Sequence, residues 1–400
     1  MWKLGVEVDS SLAIQKSHQA CEILSEIKVD CWLIWIRETM QFRDPALSLV
    51  LDMDIISPTA LLYTSDGQRI AVAQAIDARG LPSGPFDRIV PYEKGIRDAL
   101  RSELVRLDPA QIAINYSTET VSADGLTLGM YRNLLEHLEG TPYKDRLMSA
   151  APLMERLKGR KLPEEVRRIE NAVQVTERIF NDLATYLQPG QAETEIASYV
   201  RERMMAYEVT ASWDPAYCPA VDTGPNKIFG HAGPTNSRTR AGHLLHFDFG
   251  VEANGYCSDL QRMFFFGRRS EIPAEVQHAL DTVTGAIEAA AAFLRPGRIG
   301  HEVDAVARRH IIDHGYEEYA HGLGHQVGRF AHDGGMRLAP QWELFGQRCY
   351  GIVEEGNVFT IEPNALTSNY GRVSLEEDVL VEANGCRFLS TPQRALICLG

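Results

Sequence analysis

The sequence predicts two domains: an α/β domain over residues 1–155, then an α+β domain over residues 156–400 whose halves repeat one another about a pseudo-twofold axis. Three observations predict it. Apolar runs of strand length alternate with helical periods in the first part. A long amphipathic helix opens the second part at Pro163. Within that part, a helix end, a Pro-Gly break and a second helix recur at a constant offset of 107 residues. A chain of 400 residues is also long for one hydrophobic core.

In chain order, a helical period runs from Ala13 to Ile27. Strands are expected at CWLIWI (31–36), TALLYTS (59–65), RIAVAQA (69–75) and QIAINY (111–116), with helices near 94–106 and 124–139. The basic segment RLKGRKLPEEVRR (156–168) is interrupted by acids and reads as a solvated entry to the next helix. That helix starts at Pro163, a good first-turn residue, and carries Val166, Ile169, Val173, Phe180 and Leu183 on one stripe. LQPGQAETEIASYVRERMMAYEV (187–209) then aligns with LRPGRIGHEVDAVARRHIIDHGY (294–316), Pro189 matching Pro296. Strand-rich sequence bearing acids follows each copy, Asp248 and Asp259 after the first, Glu362 and Glu376 after the second. Two such halves bring four carboxylates around a common axis.

Composition narrows the function. The chain is 44% hydrophobic and 24% charged, as in ordinary globular proteins, and its formal net charge of −14 comes without a Lys/Arg cluster. Nucleic-acid partners are therefore not expected, because binding to a phosphate backbone rests on such clusters. The N-terminus lacks the basic start and apolar core of a signal peptide, and no apolar run approaches the ~20 residues of a membrane span, so a cytoplasmic protein without a membrane partner is expected. The cysteines (Cys21, Cys31, Cys218, Cys257, Cys349, Cys386 and Cys398) are odd in number and share no CxxC spacing, which reads as reduced core thiols.

The chemistry concentrates in four motifs. HFDFGVEANGYCSDLQR (246–262) reads as two strands joined at Asn254-Gly255. Ala253 then pairs with Tyr256 and Gly250 lies opposite Asp259, so Asp248 and Asp259 share a face as diagonal neighbours roughly 5 to 7 Å apart. The other face carries Leu245, Phe247, Phe249 and Val251 and is a buried one. Like charges so close to a dry interior call for a cation between them. HGLGHQVGRFAHDGG (321–335) sets His321, His325 and His332 among five glycines, a pattern that disfavours helix and suits backbone passing close to a ligand. In VFTIEPN (358–364), Glu362 precedes a proline that holds it extended. In SLEEDVLVE (374–382), alternation alone leaves open whether Glu376 or Glu377 points inward. Four carboxylates and an imidazole match the donor set of two neighbouring divalent ions, which supply an activated water and Lewis acidity.

These motifs resemble those of the pita-bread metallopeptidase family, which includes methionine aminopeptidase, aminopeptidase P, prolidase and creatinase. DFGVEANGYCSDLQR, HGLGHQVGRFAH, TIEPN and LEEDVLVE occur in the family's order with its spacing of eleven between the aspartates, and the resemblance spans roughly residues 160–390. It implies that Asp248 chelates one ion, that Asp259 and Glu376 bridge the two, and that His325 and Glu362 complete the second, which also decides between Glu376 and its neighbour. Mn2+ is the expected ion, with Co2+ or Zn2+ accepted by the same donors. The resemblance further implies that Glu362 carries the proton to the leaving nitrogen, that His231 faces the substrate, that His332 hydrogen-bonds the scissile carbonyl or the far end of the substrate, and that His321 lines the same pocket. An N-terminal α/β domain of this length resembles that of prolidases, aminopeptidases P and creatinases. Arg348, fourteen positions before Glu362, falls where prolidase-type dipeptidases hold the free carboxylate of a dipeptide. The expectation is a homodimeric Xaa-Pro dipeptidase; the rivals are an aminopeptidase P acting on longer peptides and a non-catalytic peptide-binding module of the same fold. Gln261 and Ser374 depart from the family's usual Thr and Arg, which puts the support of the bridging carboxylates in question and leaves Arg262 or Arg372 to compensate.

Overall fold

CWLIWI has no polar face, so a strand built from it needs cover on both sides. The computed structural model describes residues 10–51, 53–82, 84–225 and 232–400, and gives that strand its cover. The chain divides into two units, Met1–Lys158 and Gly159–Gly400. In the first, the elements in order are α1 (Ser10–Ile27), β1 (Cys31–Ile36), α2 (Leu47–Val50), β2 (Thr59–Thr64), β3 (Arg69–Gln74), α3 (Ala75–Ala78), β4 (Arg88–Tyr92), α4 (Arg97–Leu107), β5 (Ile112–Ile114), α5 (Leu128–Leu138), β6 (Leu147–Ser149) and α6 (Ala151–Gly159). The six strands form one mixed sheet in the order β4-β3-β2-β1-β5-β6.

Alternate residues of β1 serve two cores. Trp32, Ile34 and Ile36 pack with Ala20, Ile23 and Leu24 of α1 and with Leu153, Met154 and Leu157 of α6. Cys31, Leu33 and Trp35 pack with Leu100 and Leu104 of α4 and with Leu134 and Leu138 of α5. The edge strand β4 is not legible in the sequence, because RIVPY alternates poorly and contains a proline, which an edge strand tolerates.

The second unit runs α7 (Pro163–Tyr186), α8 (Glu193–Ala206), β7 (Thr210–Ala211), β8 (Ala220–Thr223), β9 (Leu244–Phe249), β10 (Val251–Ala253), β11 (Tyr256–Cys257), β12 (Leu260–Phe265), α9 (Ala274–Phe293), α10 (Gly300–Asp313), β13 (Gly324–His325), β14 (Arg337–Leu338), β15 (Val358–Ile361), β16 (Asn364–Leu366), β17 (Arg372–Ser374), β18 (Glu377–Glu382), β19 (Gly385–Phe388) and β20 (Ile397–Cys398). The expected repeat is present in its helices. α8 starts at Glu193 and α10 at Gly300, they end at Ala206 and Asp313, and so the offset of 107 holds at both ends. Each starts in the same way, with the glutamate at the third helical position accepting the N–H of the residue before the helix: Glu195 from Ala192 at 2.8 Å and Glu302 from Ile299 at 3.2 Å. α7 and α9 end at Tyr186 and Phe293, again at that offset.

The basic segment before α7 is not solvated. Lys158 and Lys161 are buried, Lys161 Nζ meets Asp333 at 3.3 Å, and Arg160 Nε meets Glu354 at 2.8 Å. Sequence could not show these pairings because the partners lie more than 170 residues away. Among the described residues no helix is long and apolar enough to cross a membrane. All seven cysteines are free.

Candidate metal centre

The ribbon that carries the two aspartates folds in the register its turn dictates. Asn254 (φ 53°) and Gly255 (φ 76°) both take the left-handed conformation of a type I′ turn, and Ala253 pairs with Tyr256. The pairs Glu252–Cys257 and Phe249–Leu260 bracket Gly250 and Asp259 in one continuous register. A Cβ on Gly250 would stand 1.7 Å from the Ser258 carbonyl oxygen, so only glycine lets the chain cross from one sheet to the next here. Behind the acids, Phe180 of α7 packs its ring 4.5 Å from that of Phe249 and 6.1 Å from that of Phe247. That apolar face leaves Ala220, Asp222, His246, Asp248, Gln261 and Met263, paired across β8, β9 and β12, on the other side.

The other donors arrive from the second half. His325 in β13 pairs with Arg337 in β14, and a Cβ on the neighbouring Gly324 would stand 2.0 Å from the Thr360 carbonyl oxygen, which is why the strand can lie against β15. The loop before it is tied down from α10: the Arg308 guanidinium meets both oxygens of Asp304 at 2.8 and 2.9 Å and donates to the carbonyls of Tyr319 and His321, and Asp304 accepts the Leu323 N–H. Glu376 bridges to Gln261 and so sits beside the aspartate ribbon.

One ligand atom each from Asp259, His325 and Glu376 lies within 4.8 Å of the others, and all three residues are buried. His325 Nε2 is 3.7 Å from Asp259 Oδ2 and 3.6 Å from Glu362 Oε1. Its Nδ1 faces the Gln326 carbonyl at 3.4 Å, and a carbonyl can only accept, so Nε2 presents its lone pair to the carboxylates. Asp259 Oδ1 and Glu376 Oε1 are buried and accept no hydrogen bond among the described residues. Asp248, half-buried on β9, is the repulsive neighbour of Asp259, Glu362 and Glu376. The five side chains thus come together, and orphaned acceptors facing an imidazole lone pair fit a divalent cation.

Electrostatics point the same way. Burial first, then Asp248, Asp378 and Glu362, holds the Asp259 carboxyl well above its usual range. Glu376 is raised for the same reasons, burial before Asp259 and Glu362. Glu362 is pushed up to about 8 by burial and then Asp248, with Arg337 opposing. His325 is held well below its usual value by burial and then His332.

The remaining expected residues fare differently. His332 is exposed, its ring 4.1 Å from that of His325. His321 has both nitrogens engaged: Nδ1 donates to the Gly322 carbonyl at 2.7 Å, Nε2 accepts from Asn364 Nδ2 at 2.5 Å, and burial lowers its value to about 4. Arg348 turns its guanidinium onto the Phe345 and Leu344 carbonyls at 3.3 and 2.8 Å. His231 lies outside the described residues. Glu377, the alternative to Glu376, is buried on the opposite face and pairs with Arg262 at 3.1 and 3.0 Å. Arg262 also holds the Gln261 and Glu376 carbonyls, so it supports the backbone of Glu376 and the carboxylate of Glu377, while Arg372 reaches Asn364.

Three residues of this site went unread in the sequence. Asp378 is fully buried and accepts the Asp259 N–H at 3.1 Å. His246 shares the face of Asp248 by simple alternation, a signal that was available. Arg337 is half-buried, with Arg348 and Glu362 as its charged neighbours and an Nε that has no hydrogen-bond partner among the described residues; nothing in its motif marks it.

Residues 167–383 match the model of metallopeptidase family M24. The Xaa-Pro dipeptidase of Pyrococcus furiosus is 28% identical over 284 residues, 70% of this chain and 76% of that protein. Among solved structures, the Xaa-Pro dipeptidase of Bacillus anthracis superposes with a TM-score of 0.73 at 22% identity, covering 97% of this chain and 100% of that one. The X-Pro aminopeptidase of Thermotoga maritima superposes with a TM-score of 0.70 at 22% identity, covering 96% and 99%. At such identities these two structures speak for the shared pita-bread fold.

Proposed function

The chain belongs to metallopeptidase family M24, and from that membership we propose that it cleaves the Xaa-Pro bond of dipeptides with two divalent ions, Mn2+ foremost, held by Asp248, Asp259, His325, Glu362 and Glu376. The observation that carries this reading is the convergence of Asp259, His325 and Glu376 with unpartnered carboxylate oxygens. When bound, the ions lower the pKa of a water and polarise a carbonyl. The chain's own residues do the rest. Glu362, whose Oε1 lies 3.6 Å from His325 Nε2, delivers a proton to the proline nitrogen, a poor leaving group until protonated. His332 donates to the scissile carbonyl from beside His325, while His321, committed to Gly322 and Asn364, supports the pocket wall without exchanging a proton.

Preference for dipeptides rests on cationic charge near Glu362. Arg337 and Arg348 neighbour one another, and a guanidinium is the natural reader of a free carboxylate. A dipeptide presents that carboxylate one residue beyond the scissile bond and a longer peptide does not.

The test is a chain-length profile: Leu-Pro and Met-Pro against Xaa-Pro-Yaa tripeptides, on protein stripped with chelator and resupplied with Mn2+. Dipeptide turnover is expected. Turnover confined to tripeptides moves the reading to an X-Pro aminopeptidase, the activity for which the Thermotoga maritima protein is named; no turnover and no bound Mn2+ favour a peptide-binding module.

A further inference from the structure

Behind the two glutamates runs a line of buried polar side chains that the reaction does not use. Gln261, on β12, donates through Nε2 to Glu376 Oε2 at 3.0 Å and to Glu362 Oε2 at 3.3 Å. Its Oε1 accepts from the Ser374 hydroxyl at 2.6 Å and lies 3.0 Å from His246 Nε2. The orientation of the amide follows from its partners: two carboxylate oxygens require the donor end, so the oxygen is left to the hydroxyl and the ring. An amide oxygen only accepts, so His246 Nε2 carries its hydrogen toward Gln261. Asp222 Oδ2 lies 3.3 Å from the other ring nitrogen, Nδ1. Asp222, His246, Gln261, Ser374 and Glu376 are 9%, 3%, 4%, 1% and 1% exposed, so water does not compete for these bonds.

The consequence lies in which oxygens remain. Each glutamate gives Oε2 to one N–H of the same amide. Glu376 Oε1 is then left buried and unpartnered, and Glu362 Oε1 faces His325 Nε2 at 3.6 Å. One planar group thereby sets the separation and rotation of two carboxylates, one just after β15 and the other just before β18.

We propose that Gln261 is a positioning residue of the metal centre: its amide clamps one oxygen each of Glu362 and Glu376 so that the other faces the ion, and Ser374 and His246 act through it by fixing the amide. This rests on the metal reading above, and deepens it. Groups that orient ligands from behind contribute about 10- to 100-fold in metal affinity.

The experiment is Mn2+ titration of the chelated full-length protein by calorimetry, with the visible absorption spectrum of the Co2+-loaded form as a reporter of ligand geometry. Gln261→Met keeps the volume and removes the donor; it is expected to raise the Mn2+ dissociation constant about 10- to 100-fold and to alter the Co2+ bands. Ser374→Ala and His246→Leu are expected to raise it less, and to add nothing in the Gln261→Met background, because they work through the missing amide. Ser374→Ala, the mildest change, decides the matter should Gln261→Met not fold. A Gln261→Met protein within twofold of wild type with an unchanged Co2+ spectrum overturns the proposal alone, and additive effects of His246→Leu overturn its relay. Wild-type protein that binds neither ion overturns the metal reading itself.

Discussion

Arg337 and Arg348 separate what a motif can reveal from what a fold adds. Arg348 stood out by its distance along the chain from Glu362, yet its guanidinium turns to carbonyls of its own segment. Arg337 had no motif, and only the pairing of β13 with β14 sets it across from His325. If Arg337 reads the product carboxylate, Arg337→Ala should raise KM for Leu-Pro about 10- to 100-fold, the range of one charge-assisted hydrogen bond, while Arg348→Ala stays within about threefold. Steady-state kinetics on both variants checks this, and the reverse order would return the anchor to Arg348. The proposed metal ligands stood out for the opposite reason: acids and histidines set among glycine and apolar neighbours have few structural uses, and each declares itself locally. Gln261 stood out only as a departure, and what it does lies in two glutamates 101 and 115 residues away.

Elements were legible where their pattern was extreme. The continuous apolar run of β1 and the stripe of α7 are each found where expected, all five stripe residues being buried. Short strands such as β6 and β13 owe their existence to pairing partners, which leave no trace in local composition. The joints between elements are equally hidden. In the first unit, Asp44 accepts the Ala46 N–H and the Asn115 side chain, each at 2.8 Å, and Asn115 in turn accepts from Trp32 of β1 at 2.7 Å, so one buried carboxyl fastens the approach to α2 against two neighbouring strands. Burial raises that carboxyl to about 6 from an ordinary 3.8. A folded value above the unfolded one means the native state holds the extra proton between them. Stability is therefore full below 3.8 and falls as pH rises through about 6. Asp44→Asn keeps both accepted bonds and cannot ionise. From pH 4 to pH 7 the wild type should lose on the order of 3 kcal/mol relative to the variant, an upper figure from the size of the shift. Urea unfolding at the two pH values measures it; a gap that stays constant would mean Asp44 is not the titrating group.

At the scale of the whole chain, all five proposed carboxylate and imidazole ligands lie within Gly159–Gly400. They are drawn from both halves of the repeat: Asp248 and Asp259 from the first, His325, Glu362 and Glu376 from the second. An ion among them would cross-link strands whose carboxyls, in its absence, either repel one another or keep their protons, a cost that the bound state removes. Mn2+ at about 100 times its dissociation constant should then stabilise the folded state by about 2.7 kcal/mol over chelated protein. The gain should also be regional. Amide hydrogen exchange of the full chain should slow on adding Mn2+ in β9, β12, β15 and β18, the strands that carry or flank the ligands, and remain unchanged in β1, β2 and β3 of the first sheet. Equal slowing in both units would show that the ion acts on something other than this site. No slowing at a saturating concentration would mean that the acids repel one another for some purpose other than holding a cation.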